Sequence, residues 1–92
     1  MSSNDQGSIK TIISKARNQM EELTGRSAEA ITAVERNDGG WRLNIELLEL
    51  QRIPDSTSIL GCYEVRVDGD GNLLDYVRTA RYFRNHAIEE EA

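Results

Sequence analysis

Residues 49–84, "ELQRIPDSTSILGCYEVRVDGDGNLLDYVRTARYFR", contain the pattern that decides the fold. Tyr63, Val65 and Val67 alternate with polar residues, which is typical of a strand with one buried face. The letters DGDG that follow are a turn signal, and NLLDYVRTARYF after them is predicted to form the last strand. Pro54 cannot donate a ladder hydrogen bond, so the preceding strand is expected to end before it. This stretch therefore predicts a loop followed by an antiparallel hairpin.

The residues before this stretch predict two more strands. The segment WRLNIEL (41–47) alternates apolar and polar residues, as a half-buried antiparallel strand does. The alternation slips at Leu48, and a β-bulge near Leu47–Leu48 or a twist of the strand end explains the slip. The segment AEAITAVERN (28–37) predicts a first strand, which the turn signal NDGG joins to the second.

An amphipathic helix is predicted to precede the sheet. Apolar residues recur there at three- and four-residue steps: Ile9, Ile12, Ile13, Ala16, Met20 and Leu23. Ser8 is a suitable N-cap and Gly25 a suitable stop, so we expect the helix over residues 8–24. The predicted fold class is therefore α+β, with an N-terminal amphipathic helix packed on a four-stranded antiparallel β-meander.

The length of 92 residues predicts a single α+β domain, which we expect over residues 8–86. Residues 1–7 are predicted to be disordered and residues 87–92 to form an acidic tail. No apolar run approaches the ~20 residues of a membrane span, and the first residues lack the pattern of a signal peptide. We therefore expect a cytoplasmic protein without membrane contact, and the single Cys62 agrees with a reducing compartment.

The sequence argues against an enzyme and against a metal protein. His86 and Cys62 are each the only residue of their type, and no glycine-rich phosphate-binding motif is present. Asp68, Asp70 and Asn72 match the first three ligand positions of a calcium-binding EF-hand loop. The glycine and the final glutamate of that loop are missing, so a hairpin turn explains these residues better. We predict no catalytic residue, no metal and no cofactor.

The last strand carries tyrosines and arginines close together. Tyr76 and Tyr82 lie among Arg78, Arg81 and Arg84. Three interpretations are open at this point: a solvated face with paired charges, a protein interface, and a nucleic-acid surface that stacks bases and neutralises phosphates. A formal net charge of −5 makes nucleic acid the least favoured of the three.

Several motifs together resemble the gas vesicle protein O (GvpO) family. They are the strand of Trp41 and the segments ELQRIPDS, YEVRVDGDGNLLDYVR and RYFR, in this order over residues 40–84. The resemblance implies a non-enzymatic accessory role in gas vesicle formation, as an adaptor or chaperone-like partner of the shell protein and of other accessory proteins. On this basis we expect a protein-docking surface centred on eight residues: Arg52, Asp55, Tyr63, Glu64, Tyr76, Arg78, Arg81 and Tyr82.

Two other functions remain open at the level of sequence. One is a nucleic-acid-binding regulator of gas vesicle gene expression, whose affinity would fall steeply with salt. The other is a binding module similar to PepSY domains, whose strands also read Y-x-V-x-x-D-x-x-G. Edge strands would also allow a homodimer or the addition of a partner strand. The expected location is cytoplasmic, with attachment to the gas vesicle as a further expectation.

Overall fold

The computed structural model describes residues 2–84 of the chain, and their side chains from Ile9 onward. Five regular elements make up this part: helix α1 (Ser2–Thr24) and strands β1 (Ala28–Asn37), β2 (Gly40–Leu50), β3 (Ile59–Asp68) and β4 (Leu73–Phe83). A short 3-10 helix at Asp55–Thr57 lies in the loop between β2 and β3. The predicted α+β fold is confirmed.

The four strands form one sheet in the order β1-β2-β3-β4, with every neighbouring pair antiparallel. The turn signals NDGG and DGDG join β1 to β2 and β3 to β4, as predicted. In the second turn, the Asp68 carboxylate accepts hydrogen bonds from the backbone N–H groups of Asp70 and Asn72, each at 2.9 Å. These bonds hold the pKa of Asp68 below its ordinary value, and the bond from Asn72 has the largest effect. Asp68 therefore acts as a turn-stabilising side chain.

Helix α1 ends where the sequence predicts but begins earlier. It ends at Thr24, and the Gly25 N–H donates to the Glu21 carbonyl at 2.9 Å with a φ of +69° at Gly25, a conformation that glycine adopts without strain. The predicted start at Ser8 is wrong, because the helix begins at Ser2. Residues 2–7, predicted to be disordered, continue the helical backbone. A local capping signal at Ser8 did not interrupt the helix.

The core lies between α1 and one face of the sheet, which we call the helix-covered face. Helix residues Ile12, Ala16 and Met20 are buried against side chains from β2 and β3: Leu43, Ile45, Leu47, Tyr63, Val65 and Val67. Two residues of the predicted helical stripe, Ile9 and Leu23, are exposed instead. The core side of α1 is thus narrower than the apolar periodicity indicates. The opposite side of the sheet, the outer face, carries no helix among residues 2–84.

Polar contacts join α1 to the β3–β4 turn. The Lys15 ammonium group donates to the Asp70 carbonyl at 2.8 Å. The Gln19 side chain donates to the Gly71 carbonyl at 2.8 Å and accepts from the Leu73 N–H at 2.9 Å. Because these bonds link residues more than fifty positions apart, they set the position of the helix on the sheet.

The division of the chain into one domain and two flanking segments stays a prediction. The acidic tail at 87–92 and His86 lie outside the described residues. Ile53 and Pro54 lie in the loop that follows β2, as the sequence predicts.

Candidate protein-interaction surface

Two β-bulges bring together residues that a regular sheet would separate. In the β2–β3 pairing, Leu48 lies opposite Leu60 and Leu50 opposite Ile59, so Glu49 is the extra residue of a bulge. The sequence predicts a bulge near Leu47–Leu48, and its actual position is one residue further on. A bulge re-aims the side chain of its extra residue, and Glu49 points over the helix-covered face beside Gly61.

The second bulge lies in β4, where Cys62 pairs with Ala80 and Tyr63 with Arg78. Thr79 is the extra residue, and its hydroxyl donates to the Cys62 carbonyl at 3.1 Å. In a regular strand, residues 78 and 81 would project from opposite faces because side chains alternate. The bulge resets this alternation, and both Arg78 and Arg81 reach the carboxylate of Glu49.

The Glu49 carboxylate is nearly inaccessible to water and is held by three side chains. Its side chain is 2% exposed. Tyr63 Oη donates to it at 2.6 Å, Arg78 Nη1 lies 3.1 and 3.3 Å from its two oxygens, and Arg81 Nε lies 3.1 Å from Oε1. We call Glu49, Gly61, Tyr63, Arg78 and Arg81 the Glu49 cluster. Burying a charged carboxylate is unfavourable unless it is paired with opposite charge and hydrogen-bonded. The three partners of Glu49 meet this requirement.

The electrostatics of the cluster keep Glu49 ionised. Desolvation by burial raises the pKa of Glu49, but the hydrogen bonds from Tyr63 and Arg78 and the charges of Arg78 and Arg26 lower it more. The net pKa of Glu49 is below its ordinary value of 4.5. The pKa of Tyr63 is raised, by burial and then by the hydrogen bond to Glu49. Tyr63 therefore stays a neutral donor, and Glu49 stays a charged acceptor at neutral pH.

Gly61 supplies the room that the carboxylate occupies. A Cβ atom added at Gly61 would lie 2.1 Å from Glu49 Oε2 and 3.0 Å from the Tyr63 ring. Both distances are below an ordinary van der Waals contact, so any side chain at this position would displace Glu49. Gly61 lies opposite Arg81 in β4, and the missing side chain leaves space for the carboxylate that Arg81 contacts.

The two arginines also face the solvent. Their side chains are 47% exposed at Arg78 and 52% exposed at Arg81. Tyr76, on the same face, is partly exposed, and its ring lies against that of Tyr63 with the ring centres 6.1 Å apart. Two guanidinium groups therefore meet one carboxylate, with exposed sides that water or a partner can contact.

The structure divides the eight predicted surface residues among three places. Tyr63, Arg78 and Arg81 meet at Glu49, and Tyr76 adjoins them. Tyr63 is 6% exposed, so its ring is part of the core and its hydroxyl serves the cluster. The other four residues lie elsewhere.

Glu64 and Tyr82 lie on the outer face. Glu64 Oε2 forms an ion pair with Arg42 Nη1 at 3.3 Å. Tyr82 donates a hydrogen bond to Glu46, and burial followed by this bond raises the pKa of Tyr82. Because the sheet separates its two faces, Glu64 and Tyr82 take no part in the contacts around Glu49.

Arg52 and Asp55 lie in the loop between β2 and β3. The Arg52 backbone N–H donates to Ser58 Oγ at 3.0 Å, and that hydroxyl donates to Asp55 Oδ1 at 3.1 Å. Asp55 Oδ2 also lies 3.1 Å from Arg84 Nε. In this loop the two residues organise the chain between the strands.

The eight predicted surface residues leave out Glu49 and Gly61, which organise the cluster. The signal for Glu49 is the slip in alternation at Leu48, because a change of parity next to a carboxylate predicts that the carboxylate turns inward. The signal for Gly61 is weaker. A glycine inside a strand indicates a bulge or a close approach of another group, and here the group is the Glu49 side chain.

The rest of the described chain adds two observations about other kinds of site. Among residues 2–84, no three His, Cys, Asp or Glu side chains are grouped as a metal site requires. No helix in that range is both long and apolar enough to cross a membrane.

The fold and the cluster define a small α+β domain that presents a fixed pair of arginines beside a tyrosine. Comparison with known proteins identifies its family. A family model described as "gas vesicle synthesis protein GvpO" matches residues 1–87. The chain belongs to the GvpO family, as the motifs of residues 40–84 indicate.

Three relatives agree with this assignment. Gas vesicle protein O of Streptomyces sp. (strain CB03234) is 48% identical over 69 residues, which cover 75% of this chain and 54% of the relative. Gas vesicle protein O1 of Halobacterium salinarum is 36% identical over 76 residues, 83% of this chain and 64% of the relative. Gas vesicle protein O of Haloferax mediterranei is 36% identical over 77 residues, 83% of this chain and 55% of the relative.

The chain thus matches between about half and two thirds of the length of these relatives. No solved structure is significantly similar to it.

Proposed function

We propose that this chain is a non-enzymatic accessory protein of gas vesicle formation. It acts as an adaptor or chaperone-like partner that binds the shell protein or other accessory gas vesicle proteins. Membership of a family described as gas vesicle synthesis proteins supports the role in vesicle formation. We further propose that the protein works in the cytoplasm and at the surface of the growing vesicle.

The observation that carries the adaptor role is the geometry of Arg78 and Arg81. Both guanidinium groups are oriented by the buried Glu49 carboxylate and are still about half exposed. Arginine side chains held in this way lose less conformational entropy when they bind a partner. Arginine and tyrosine are also enriched among the residues that dominate protein interfaces, and the exposed part of Tyr76 adjoins the pair.

The state of Glu49 supports adhesion over catalysis. A general base has to reach a substrate proton and needs a pKa near the working pH. The Glu49 side chain is 2% exposed, and its carboxylate already contacts three donor groups. Its pKa is also lowered, away from neutral pH. Its arrangement suits an anchor for the arginines.

A pull-down with the shell protein and the co-encoded accessory proteins tests this proposal. The tagged chain should capture at least one of them, and replacement of both Arg78 and Arg81 by Ala should abolish the capture. The matched control is replacement of Arg42 and Arg66 by Ala, since these arginines are similarly exposed but belong to ion pairs of the outer face. The control variant should capture as the unchanged chain does.

A deletion strain gives an independent test of the role in the cell. Cells without the gene should lack intact vesicles and should fail to float. Normal flotation of such cells would refute the proposed role in vesicle formation, whichever surface binds the partner.

A further inference from the structure

An apolar recess lies next to Arg81, outside the core under α1. It has a volume of about 450 Å³ and is lined by Ile59, Arg81, Tyr82 and Phe83. Ile59 and Phe83 pair across β3 and β4, and Phe83 is 46% exposed. Leu50, which pairs with Ile59 from β2, is also exposed. A row of apolar side chains on three neighbouring strands is thus partly open to solvent.

The recess adjoins a local excess of positive charge. Arg78 and Arg81 share the single negative charge of Glu49, and the charge of Arg26 also acts on that carboxylate. The chain as a whole carries a formal net charge of −5. A positive region on an acidic protein attracts a negative group there while the rest of the surface repels it.

The fixed spacing of Arg81 and Phe83 sets the shape of the ligand. Both pair with β3 residues of the helix-covered face, Gly61 and Ile59, so both project from that face. Two residues of a strand lie about 7 Å apart. An extended peptide beside them would place a carboxylate and an apolar side chain, two residues apart, on its matching face.

The position of β4 makes such a peptide accessible. It is an edge strand, since the sheet order ends with it. Along its eleven residues nearly all side chains are exposed. Edge strands present unpaired backbone groups to which an extended segment can add by β-augmentation.

We propose that this recess and the two arginines form a docking site for an acidic, apolar segment of a partner gas vesicle protein. A carboxylate of the segment pairs with Arg81 and Arg78, and an apolar side chain two residues away enters the recess at Ile59 and Phe83. This inference rests on the adaptor function proposed above and names the chemistry of the partner segment. A protein segment fits better than nucleic acid, because the recess is apolar and the chain is acidic overall.

The probe is a fluorescein-labelled, end-blocked peptide with one glutamate and one leucine two residues apart among serines and threonines. Two control peptides carry glutamine in place of the glutamate or serine in place of the leucine. Anisotropy titration with the full chain at about 0.1 M salt, where exposed charges are only partly screened, measures the affinity. We expect binding of the first peptide and at least about tenfold weaker binding of each control peptide.

Variants of the protein locate the site. Arg81→Gln should weaken binding of the first peptide at least about tenfold, and so should Phe83→Ser. The matched control is Arg66→Gln, which removes an exposed arginine from the outer face and should leave the affinity unchanged. Phe83→Ser should in addition abolish the preference for leucine over serine in the peptide.

Backbone amide NMR shifts of the unchanged chain keep the inference testable if a variant fails to fold. Titration with the first peptide should move the amide signals of Ile59, Arg81 and Phe83, and it should leave those of Ala33 and Asn44 in place. Shifts confined to other residues would overturn the docking site.

Three other results would also overturn it: no binding of the peptide, displacement of the peptide by a single-stranded oligonucleotide, and occupation of the site by a second copy of the chain in sedimentation. Its failure is distinguishable from failure of the adaptor role. If the pull-down succeeds and the double variant Arg81→Gln, Phe83→Ser still captures the partner, the adaptor stands and this site falls. If the pull-down captures none of the vesicle proteins, the adaptor role itself falls.

Discussion

The core under α1 and the Glu49 cluster lie on the same face of one sheet but are built by different rules. The core follows regular alternation, with Leu43, Ile45 and Leu47 on β2 projecting to one side and polar residues to the other. The cluster exists only because two strands break their alternation, at Glu49 and at Thr79. The regular part supplies stability through burial, and the irregular part places charged groups where a partner can reach them.

The difference also shows in how each region treats polar groups. The core buries apolar side chains alone apart from the Tyr63 hydroxyl, which points to Glu49. The cluster buries a carboxylate and holds it with arginines that stay half exposed. Tyr63 therefore joins the two regions, since its ring packs in the core and its hydroxyl serves the cluster. Changes in either region test how independent they are.

The largest effect is expected in the core. Leu43→Ala removes a side chain that is completely buried between β2 and α1. The lost burial and the remaining cavity should lower the free energy of unfolding by about 2–5 kcal/mol. Urea denaturation followed by far-ultraviolet circular dichroism measures this change.

The comparison predicts that the exposed helix residue Leu23 behaves differently. Leu23→Ala is the matched control, because it makes the same chemical change at a position that is 59% exposed. It should cost much less than Leu43→Ala. Equal losses at the two positions would mean that the core extends to the end of α1.

The next effect is expected at Gly61. Gly61→Ala places a methyl group 2.1 Å from the present position of Glu49 Oε2, so the carboxylate has to move. We expect a loss of about 1–3 kcal/mol in the free energy of unfolding, as for other overpacked buried positions. Urea denaturation measures it, as for the core variant.

A double-mutant cycle tells whether this loss arises in the cluster. In a Glu49→Ala background the obstructing carboxylate is gone, so Gly61→Ala should cost less, with a coupling energy of about 0.5–3 kcal/mol. Additive losses would show that Gly61 acts through the backbone alone and that the space for Glu49 has another origin.

These two regions also differ in how far the sequence predicts them. Alternation in residues 41–47 and 63–67 and the three- and four-residue steps of α1 predict the sheet, the helix and most of the core, because burial imposes those periods directly. The helix start at Ser2 was not predictable from Ser8, since a capping residue also occurs inside helices.

The cluster was only partly predictable. Arg78, Arg81 and Tyr63 are recognisable as interaction residues by type, but sequence spacing places Arg78 and Arg81 on opposite faces of a regular strand. The Thr79 bulge that reunites them leaves no mark in the alternation, because residues on both sides of it are exposed. Glu64 and Tyr82 are recognisable by residue type in the same way, but their polar groups form contacts on the outer face and not with Glu49.

A smaller effect is expected when the loss of stability in acid is compared between the unchanged chain and Glu49→Gln. The folded-state pKa of Glu49 is below its ordinary value of 4.5, so its contribution to stability is fully present above that pH. It is lost as the pH falls through the lower, folded-state pKa. In Glu49→Gln this contribution is absent at every pH. The urea midpoint of the unchanged chain should therefore fall more between about pH 6 and pH 3 than that of Glu49→Gln.

The contributions of Asp68 and Asp75, whose pKa values are also lowered, are the same in both proteins and cancel in this comparison. Parallel curves for the two proteins over this range would mean that Glu49 is not held as an ion by the cluster in solution.

The smallest effect is expected on the outer face, where the Arg66–Asp75 pair offers a carboxylate–guanidinium contact without burial. Two hydrogen bonds from Arg66, together with its charge, lower the pKa of Asp75, yet both side chains are about half exposed. Water and salt screen such a pair, and exposed pairs contribute little to stability. Asp75→Asn should shift the urea midpoint less than Leu43→Ala, Gly61→Ala or Glu49→Gln, and the shift should become smaller at about 0.5 M NaCl, where exposed charges are screened more strongly. If Asp75→Asn lowered the free energy of unfolding as much as Gly61→Ala, an exposed ion pair would contribute as much as the buried Glu49 cluster. Burial of Glu49 would then not explain the contribution of its arginine contacts to stability.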